Sequence, residues 1–266
     1  MRRINLGMFV LFASVLLVSC NAAENKNKEG DNGTGKLNIA VAANMQFAMQ
    51  EISKTFTTKT GITCDLVISS SGKLTAQIKQ GAPYDLFVSA DMKYPSELFT
   101  TGFATNQPKI YAYGKLVLWS MIDTIKPSID LLKDPGIKHI AVADPKTAPY
   151  GEAAIEVLKH YGIFENVKDK LVYGESISQT NQFITSKSAE IGFTAKSVVL
   201  SPAMKNKGQW TDVEEASYPA IAQGVIMIKQ KAGQQNNAEK FYNFLFSDDA
   251  KKILENFGYS VNGINS

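Results

Sequence analysis

The sequence predicts an α/β protein of two lobes joined by a double crossover of the chain. Three observations carry this. Short apolar runs alternate with segments of helical period. The alternation stops and restarts near the middle of the chain. A long, apolar, strand-like segment marks each change. Strand–helix–strand repetition argues for parallel sheet covered by helices. At 266 residues and 44% hydrophobic content, the chain can bury one large core or two smaller ones.

The elements follow in order. Residues 37–43 form a short apolar strand. Residues 46–59 put Ala48, Ile52 and Phe56 on one helical face, and Gly61 stops the helix. A strand at 63–68 leads into the polar turn Ser69-Ser70-Ser71-Gly72 and a short helix at 73–80. A third strand spans 85–90, with Asp91 as the N-cap of another helix. Residues 111–121 form a longer apolar strand with no helix signal after it. The alternation then restarts with a strand at 138–143, a helix at 151–161, a strand at 171–173, a helix at 178–186 and a strand at 190–194. Residues 216–229 are again long and apolar, and helices follow at 238–246 and 249–257. This order places 37–114 plus 220–266 in lobe I and 115–219 in lobe II. No internal sequence repeat is visible.

The N-terminus reads as an export leader. Arg2 and Arg3 are followed by an apolar run from Leu6 to Val18, too short for a stable span at about 20 residues. The tetrad Leu17-Val18-Ser19-Cys20 resembles the bacterial lipobox, which predicts acylation of Cys20. The bland alternative is a plain cleaved leader with a chance cysteine. Residues 21–36 lack any large apolar side chain and read as a flexible tether. The implied location is the cell envelope, on a membrane and facing the periplasm or exterior.

Several function classes are disfavoured. A net charge of +3 gives no clustered basic face for nucleic acid. With Cys20 lipidated, Cys64 is alone, and its alternation with apolar neighbours predicts a structural thiol. His139 and His160 are scattered and make no zinc site with it. Ser70 and Lys73 have the S-x-x-K spacing of serine enzymes, and Lys59-Thr60-Gly61 spells K-T-G. That chemistry needs K-T-G on a later strand, whereas here it precedes the serine and ends a helix.

Three polar turns each follow a strand and open a helix: Ala43-Asn44-Met45, Ser69-Ser70-Ser71-Gly72 and Ala148-Pro149-Tyr150-Gly151. In an open α/β sheet, ligands bind outside the carboxyl ends of the strands. Helix starts there offer unpaired N–H groups and a partial positive charge, which suits an anion. The bland reading of any one turn is helix capping. Three turns spread over both halves point to a shared site between the lobes.

The stretches A-V-A-A-N-M-Q-F-A-M-Q-E-I, S-S-S-G-K-L-T-A-Q-I-K-Q-G-A-P-Y-D-L-F-V-S-A-D, D-P-K-T-A-P-Y-G-E-A-A and E-I-G-F-T-A-K-S resemble the molybdate-binding proteins of ABC transporters. The resemblance runs from about Leu37 to Tyr259. It implies a type II periplasmic binding-protein fold, with molybdate or tungstate closed between the lobes, no cofactor, a monomer and an ABC permease as partner. It places ligand contacts at Asn44, at Ser70 or Ser71, at the backbone of Tyr150 and at the backbone of Ile177. Some members add a tyrosine from the strand that here reads Gly192-Phe193-Thr194-Ala195. Ala195 removes that donor, leaving Asn44 or the backbone N–H of Ala43 to compensate.

None of the matched positions is acidic. Phosphate keeps a proton near neutrality and calls for an acceptor, whereas sulfate, molybdate and tungstate need donors only. Asp85 and Asp91 read as strand-end and capping residues, and Glu152 as a helix-dipole partner. Sulfate or an organic anion stands as the alternative ligand. An organic anion would want an arginine clamp, which no matched turn contains.

Overall fold

The computed structural model describes residues 35–229 and 235–261. The leader, Cys20 and the tether as far as residue 34 lie outside the described residues. The chain opens with β1 (Leu37–Ala42), a 3-10 turn at Ala43–Met45, α1 (Gln46–Thr60), β2 (Cys64–Ser69), α2 (Ser71–Lys79), β3 (Leu86–Val88), α3 (Lys93–Thr100) and β4 (Lys109–Gly114). A second series follows: β5 (Leu116–Ser120), β6 (Ile140–Ala143), α4 (Pro149–His160), α5 (Phe164–Val167), β7 (Leu171–Gly174), α6 (Ile177–Thr185), β8 (Ile191–Ala195), α7 (Lys196–Val199) and β9 (Gln209–Asp212). The chain ends with β10 (Ile221–Met227), α8 (Gln235–Leu245) and α9 (Asp248–Asn256).

These strands make two five-stranded sheets, ordered β2-β1-β3-β10-β4 and β7-β6-β8-β5-β9. The orders are the same pattern twice, although the sequence shows no repeat. In each sheet, three strands are parallel and a fourth inserts antiparallel between the third and the edge. The sheets are therefore mixed: the strand–helix alternation marks the parallel strands, and the antiparallel strand is the one inserted in each. The inserted strands are the ones that arrive from the other lobe: β5 directly after β4, and β10 directly after lobe II.

Residues 111–121 are not one strand. β4 ends at Gly114, β5 begins at Leu116, and the two belong to different sheets. Lys115 alone spans the first crossing. Its ammonium meets Glu215 of the returning segment at 2.6 Å, so an ion pair ties the two crossings together. The helices also begin earlier than apolar periodicity suggests, at Ser71, Pro149 and Ile177. Their polar first turns carry no hydrophobic stripe.

Each sheet has its own core. In β1, Ile39 and Val41 face α1, α8 and α9, where Ile52, Phe56, Phe241 and Leu254 are buried. Ala40, next to them in sequence, faces the opposite side with Leu74, Phe87 and Leu98. This is the period-two alternation of a strand buried on both faces. Phe56 and Phe241 meet edge to face, 5.0 Å between ring centres. Cys64 is half-buried on β2 beside this core, and burial pushes its thiol up to about 11. It is a poor nucleophile at neutral pH. Among the described residues, no helix is long and apolar enough to cross a membrane, and no group of His, Cys, Asp and Glu could hold a metal ion.

Candidate anion site

Four helix starts converge between the lobes, each at the carboxyl end of a strand. The 3-10 turn follows β1, α2 follows β2, α4 follows β6 and α6 follows β7. Together they line a cavity of ≈ 10 Å³, room for the centre of one small group. Ala43 and Asn44 come from the first start, Ser70 and Ser71 from the second, Tyr150 from the third and Ile177 from the fourth. All six residues expected at the site line this cavity, and none is more than 5% exposed.

The termini are left open toward the cavity. The starts at Ala43, Ser71 and Pro149 have no side-chain cap. Only α6 is capped, by Ser176 accepting from the Gln179 N–H. First-turn N–H groups have no acceptor within their own helix, so those of Ser71, Tyr150 and Ile177 are donors available to an anion. Gly151 makes the third start possible, because a Cβ there would come within 2.0 Å of the Ala143 carbonyl oxygen. This close approach brings the α4 terminus onto the end of β6.

The two serines divide their work. Ser70 occupies the N-cap position of α2 but makes no capping bond, and its hydroxyl is buried without any hydrogen-bond partner in the protein. A buried hydroxyl with no partner costs about 1–3 kcal/mol. Ser71 Oγ accepts from the Ala90 N–H at 3.0 Å, which leaves its own proton free to donate. Both serine hydroxyls line the cavity.

Asn44 behaves differently from expectation. Its amide nitrogen donates to Gln223 Oε1 at 3.0 Å and to Tyr259 Oη at 3.1 Å. Both amide protons are therefore engaged behind the cavity wall, and what Asn44 offers inward is backbone. Its carbonyl oxygen accepts from Ser197 Oγ of lobe II at 2.7 Å, and Tyr259 Oη lies 2.9 Å from both of those oxygens. Ala195, where a tyrosine donor was looked for, is fully buried and does not line the cavity.

No carboxylate lines the cavity. Asp85 is a strand-end residue, accepting from the Asn38 N–H at 2.7 Å, and burial raises its carboxyl pKa. Asp91 accepts from the Ser89 hydroxyl and the Tyr94 N–H, and burial raises its pKa as well. Glu152 is exposed and does not line the cavity. The serine-enzyme alternative fails on geometry. Lys73 points outward into an ion pair with Glu175, and Lys59 ends α1 paired with Asp249.

The sequence reading missed Gln223, Tyr111, Tyr259 and Ser197, which form a buried polar group behind the cavity. The one available signal was Gln223 itself, a lone amide in the otherwise apolar run of β10.

Two lobes of mixed sheet with an inter-lobe cavity of helix termini define a solute-binding protein. The chain belongs to the bacterial extracellular solute-binding protein family, whose pattern matches residues 37–260. It is 38% identical to the molybdate-binding protein ModA of Rhodobacter capsulatus, over 85% of this chain and 88% of that one. It is 27% identical to the molybdate-binding protein ModA of Escherichia coli, over 85% of this chain and 90% of that one. The solved periplasmic molybdate-binding protein of Azotobacter vinelandii superposes with a TM-score of 0.80 at 32% identity, covering 85% of this chain and 100% of that one. The fold is thus that of the periplasmic binding proteins.

Proposed function

We propose that this chain captures molybdate or tungstate outside the cytoplasmic membrane and delivers it to the permease of an ABC transporter. One observation carries the reading: a small cavity of helix termini and serine hydroxyls, with an unpartnered Ser70 O–H and no carboxylate. Such a site offers hydrogen-bond donors and no carboxylate. It suits a fully ionised dianion and lacks the acceptor that protonated phosphate would need. An organic anion would want an arginine clamp, and the chain's only arginines, Arg2 and Arg3, lie in the leader. Sulfate satisfies the same donors and differs in size. The names of the similar proteins favour the larger anion.

In this reading the lobes close around the dehydrated anion and the permease reads the closed form, a population shift driven by the ligand. The protein acts as a monomer, needs no cofactor and catalyses nothing. Cys20 carries acyl chains that hold it at the membrane, with residues 21–36 as tether.

Calorimetric titration with molybdate, tungstate, sulfate and phosphate tests the site. Molybdate or tungstate at a hundred times its dissociation constant should add about 2.7 kcal/mol of stability. Equal stabilisation by sulfate at the same micromolar concentration would sink the selectivity. Ser71→Ala should weaken binding while the chain stays folded. Export of Cys20→Ser into the soluble fraction, beside a membrane-bound parent, tests the anchor; a variant that still pelleted with membranes would rule the anchor out.

A further inference from the structure

We infer that Gln223, which does not touch the cavity, is a positioning residue that sets the size of oxyanion the site accepts. The inference rests on the proposed function and adds to it the residue that fixes the gap between the cavity walls.

Gln223 lies on β10 in lobe I and is fully buried. The pairing of β10 with β4 shifts register between Gln223 and Gly224, a bulge that re-aims side chains. Its carbonyl Oε1 accepts from Asn44 Nδ2 at 3.0 Å and from the Tyr111 hydroxyl at 2.8 Å. Its Nε2 donates to the Tyr150 hydroxyl at 3.1 Å. Asn44 and Tyr150 are cavity residues on opposite lobes. One amide therefore holds both walls.

Tyr150 has two ends with separate tasks. Its backbone lies in the first turn of α4, where the N–H faces the cavity. Its side chain leaves lobe II and enters lobe I beside the first crossing. Gly114, the last residue before that crossing, makes room for it. A Cβ at Gly114 would come within 2.0 Å of Tyr150 Oη and 2.4 Å of Gln223 Nε2. Pulling on the phenol hydroxyl thus sets how far the α4 terminus advances toward Asn44 and Ser70.

Sulfate and molybdate are tetrahedral dianions with the same donor requirement and different radii. Discrimination between them is a difference of affinities governed by wall spacing, and wall spacing is set by groups that lock the lining residues from behind. The Asn44–Gln223–Tyr150 bracket does this across the lobe boundary.

Tyr150→Phe tests the bracket. It keeps the backbone donor and the ring and removes only the hydroxyl that Gln223 holds. Gln223→Met is the second variant; it keeps the length of the side chain, adds no charge and removes the amide that joins Asn44, Tyr111 and Tyr150. Dissociation constants for molybdate and sulfate are measured calorimetrically for parent and variants, with a melting curve for each. The expected result is a molybdate-over-sulfate affinity ratio lowered about tenfold in both variants, through weaker molybdate binding. A lower melting temperature with the parent ratio kept is what a purely structural role produces, and it overturns the inference while leaving the molybdate reading intact. A parent protein that binds sulfate and not molybdate overturns both.

Discussion

Two adjacent polar regions of the interior obey opposite rules. In the cavity wall, Ser70 keeps a buried hydroxyl with no partner, and three helix starts lack caps. A few ångströms behind it, Asn44, Gln223, Tyr111, Tyr150 and Tyr259 are joined in one hydrogen-bonded group. Buried polar groups in proteins are nearly always paired, because an orphan costs more than a bond gains. The satisfied region follows that rule. The unsatisfied region departs from it where a ligand would supply the missing partner. The contrast teaches how to separate a site from a structural network when both are buried, polar and close together.

The comparison can be broken hardest at Gly114, which belongs to the satisfied region. Gly114→Ala sets a methyl within 2.0 Å of the Tyr150 hydroxyl and 2.4 Å of the Gln223 amide. Overpacking of this kind should cost about 3 kcal/mol of stability. A denaturant titration reads it, and a loss below about 0.5 kcal/mol, the scale of neutral surface changes, would mean that the network is loose.

Ser70→Ala probes the other region, and its two effects have opposite signs. Removing an unpartnered hydroxyl should leave the melting temperature of the ligand-free protein unchanged or raised. Molybdate affinity should fall by about 2 kcal/mol, roughly thirtyfold, the worth of a hydrogen bond to a charged group. A drop in ligand-free stability equal to the drop in affinity would place Ser70 in the satisfied network instead.

The phenols sharpen the contrast through pH. Burial raises the Tyr259 hydroxyl from 10.0 to about 12, and burial raises Tyr111 and Tyr150 well above the ordinary value. A raised folded-state pKa contributes stability that is complete below the unfolded value and is lost as pH rises through the folded one. Stability should therefore fall between pH 10 and about 12, as the unfolded chain releases protons that the folded network holds. Tyr259→Phe should make that decline shallower by the share of one proton, measured by chemical denaturation at several alkaline pH values. An unchanged slope would show that Tyr259 is not buried in its neutral form.

Much of this could be read in the sequence, for identifiable reasons. The cavity residues sit in turns whose Ser, Asn, Pro and Gly content interrupts the apolar periodicity, so Asn44, Ser70, Ser71 and Tyr150 stood out. The network behind them did not. Gln223 is a single polar group inside an apolar run, Tyr111 and Tyr259 carry no motif, and their partners come from as far as 215 residues away, as with Asn44 and Tyr259. The crossing at Lys115 was hidden because Ala112 and Leu116 to Trp119 are buried on both sides of it, so apolar residues run through two sheets with only Gly114 and Lys115 between them. Asn44 was legible as a site residue, but its side chain's role was not, since Gln223 and Tyr259 claim both amide protons.

The smallest expected effect lies outside both regions, at the cleft surface. Lys73 on α2 of lobe I forms an ion pair with Glu175, just before α6 of lobe II. The pair bridges the two lobes and is the obvious candidate for a latch. Its side chains are 41% and 67% exposed, however, and an exposed pair is worth about 0–1 kcal/mol and is screened by salt. Glu175→Gln should shift molybdate affinity less than about fivefold at low salt, by the same arithmetic, and the shift should vanish near 1 M salt, where screening acts within about 3 Å. A larger loss that survived high salt would move the closing force from the buried bracket to the surface. The expected result leaves the coupling of the lobes to the Gln223–Tyr150 bond and to an anion that pairs the donors the cavity wall leaves open.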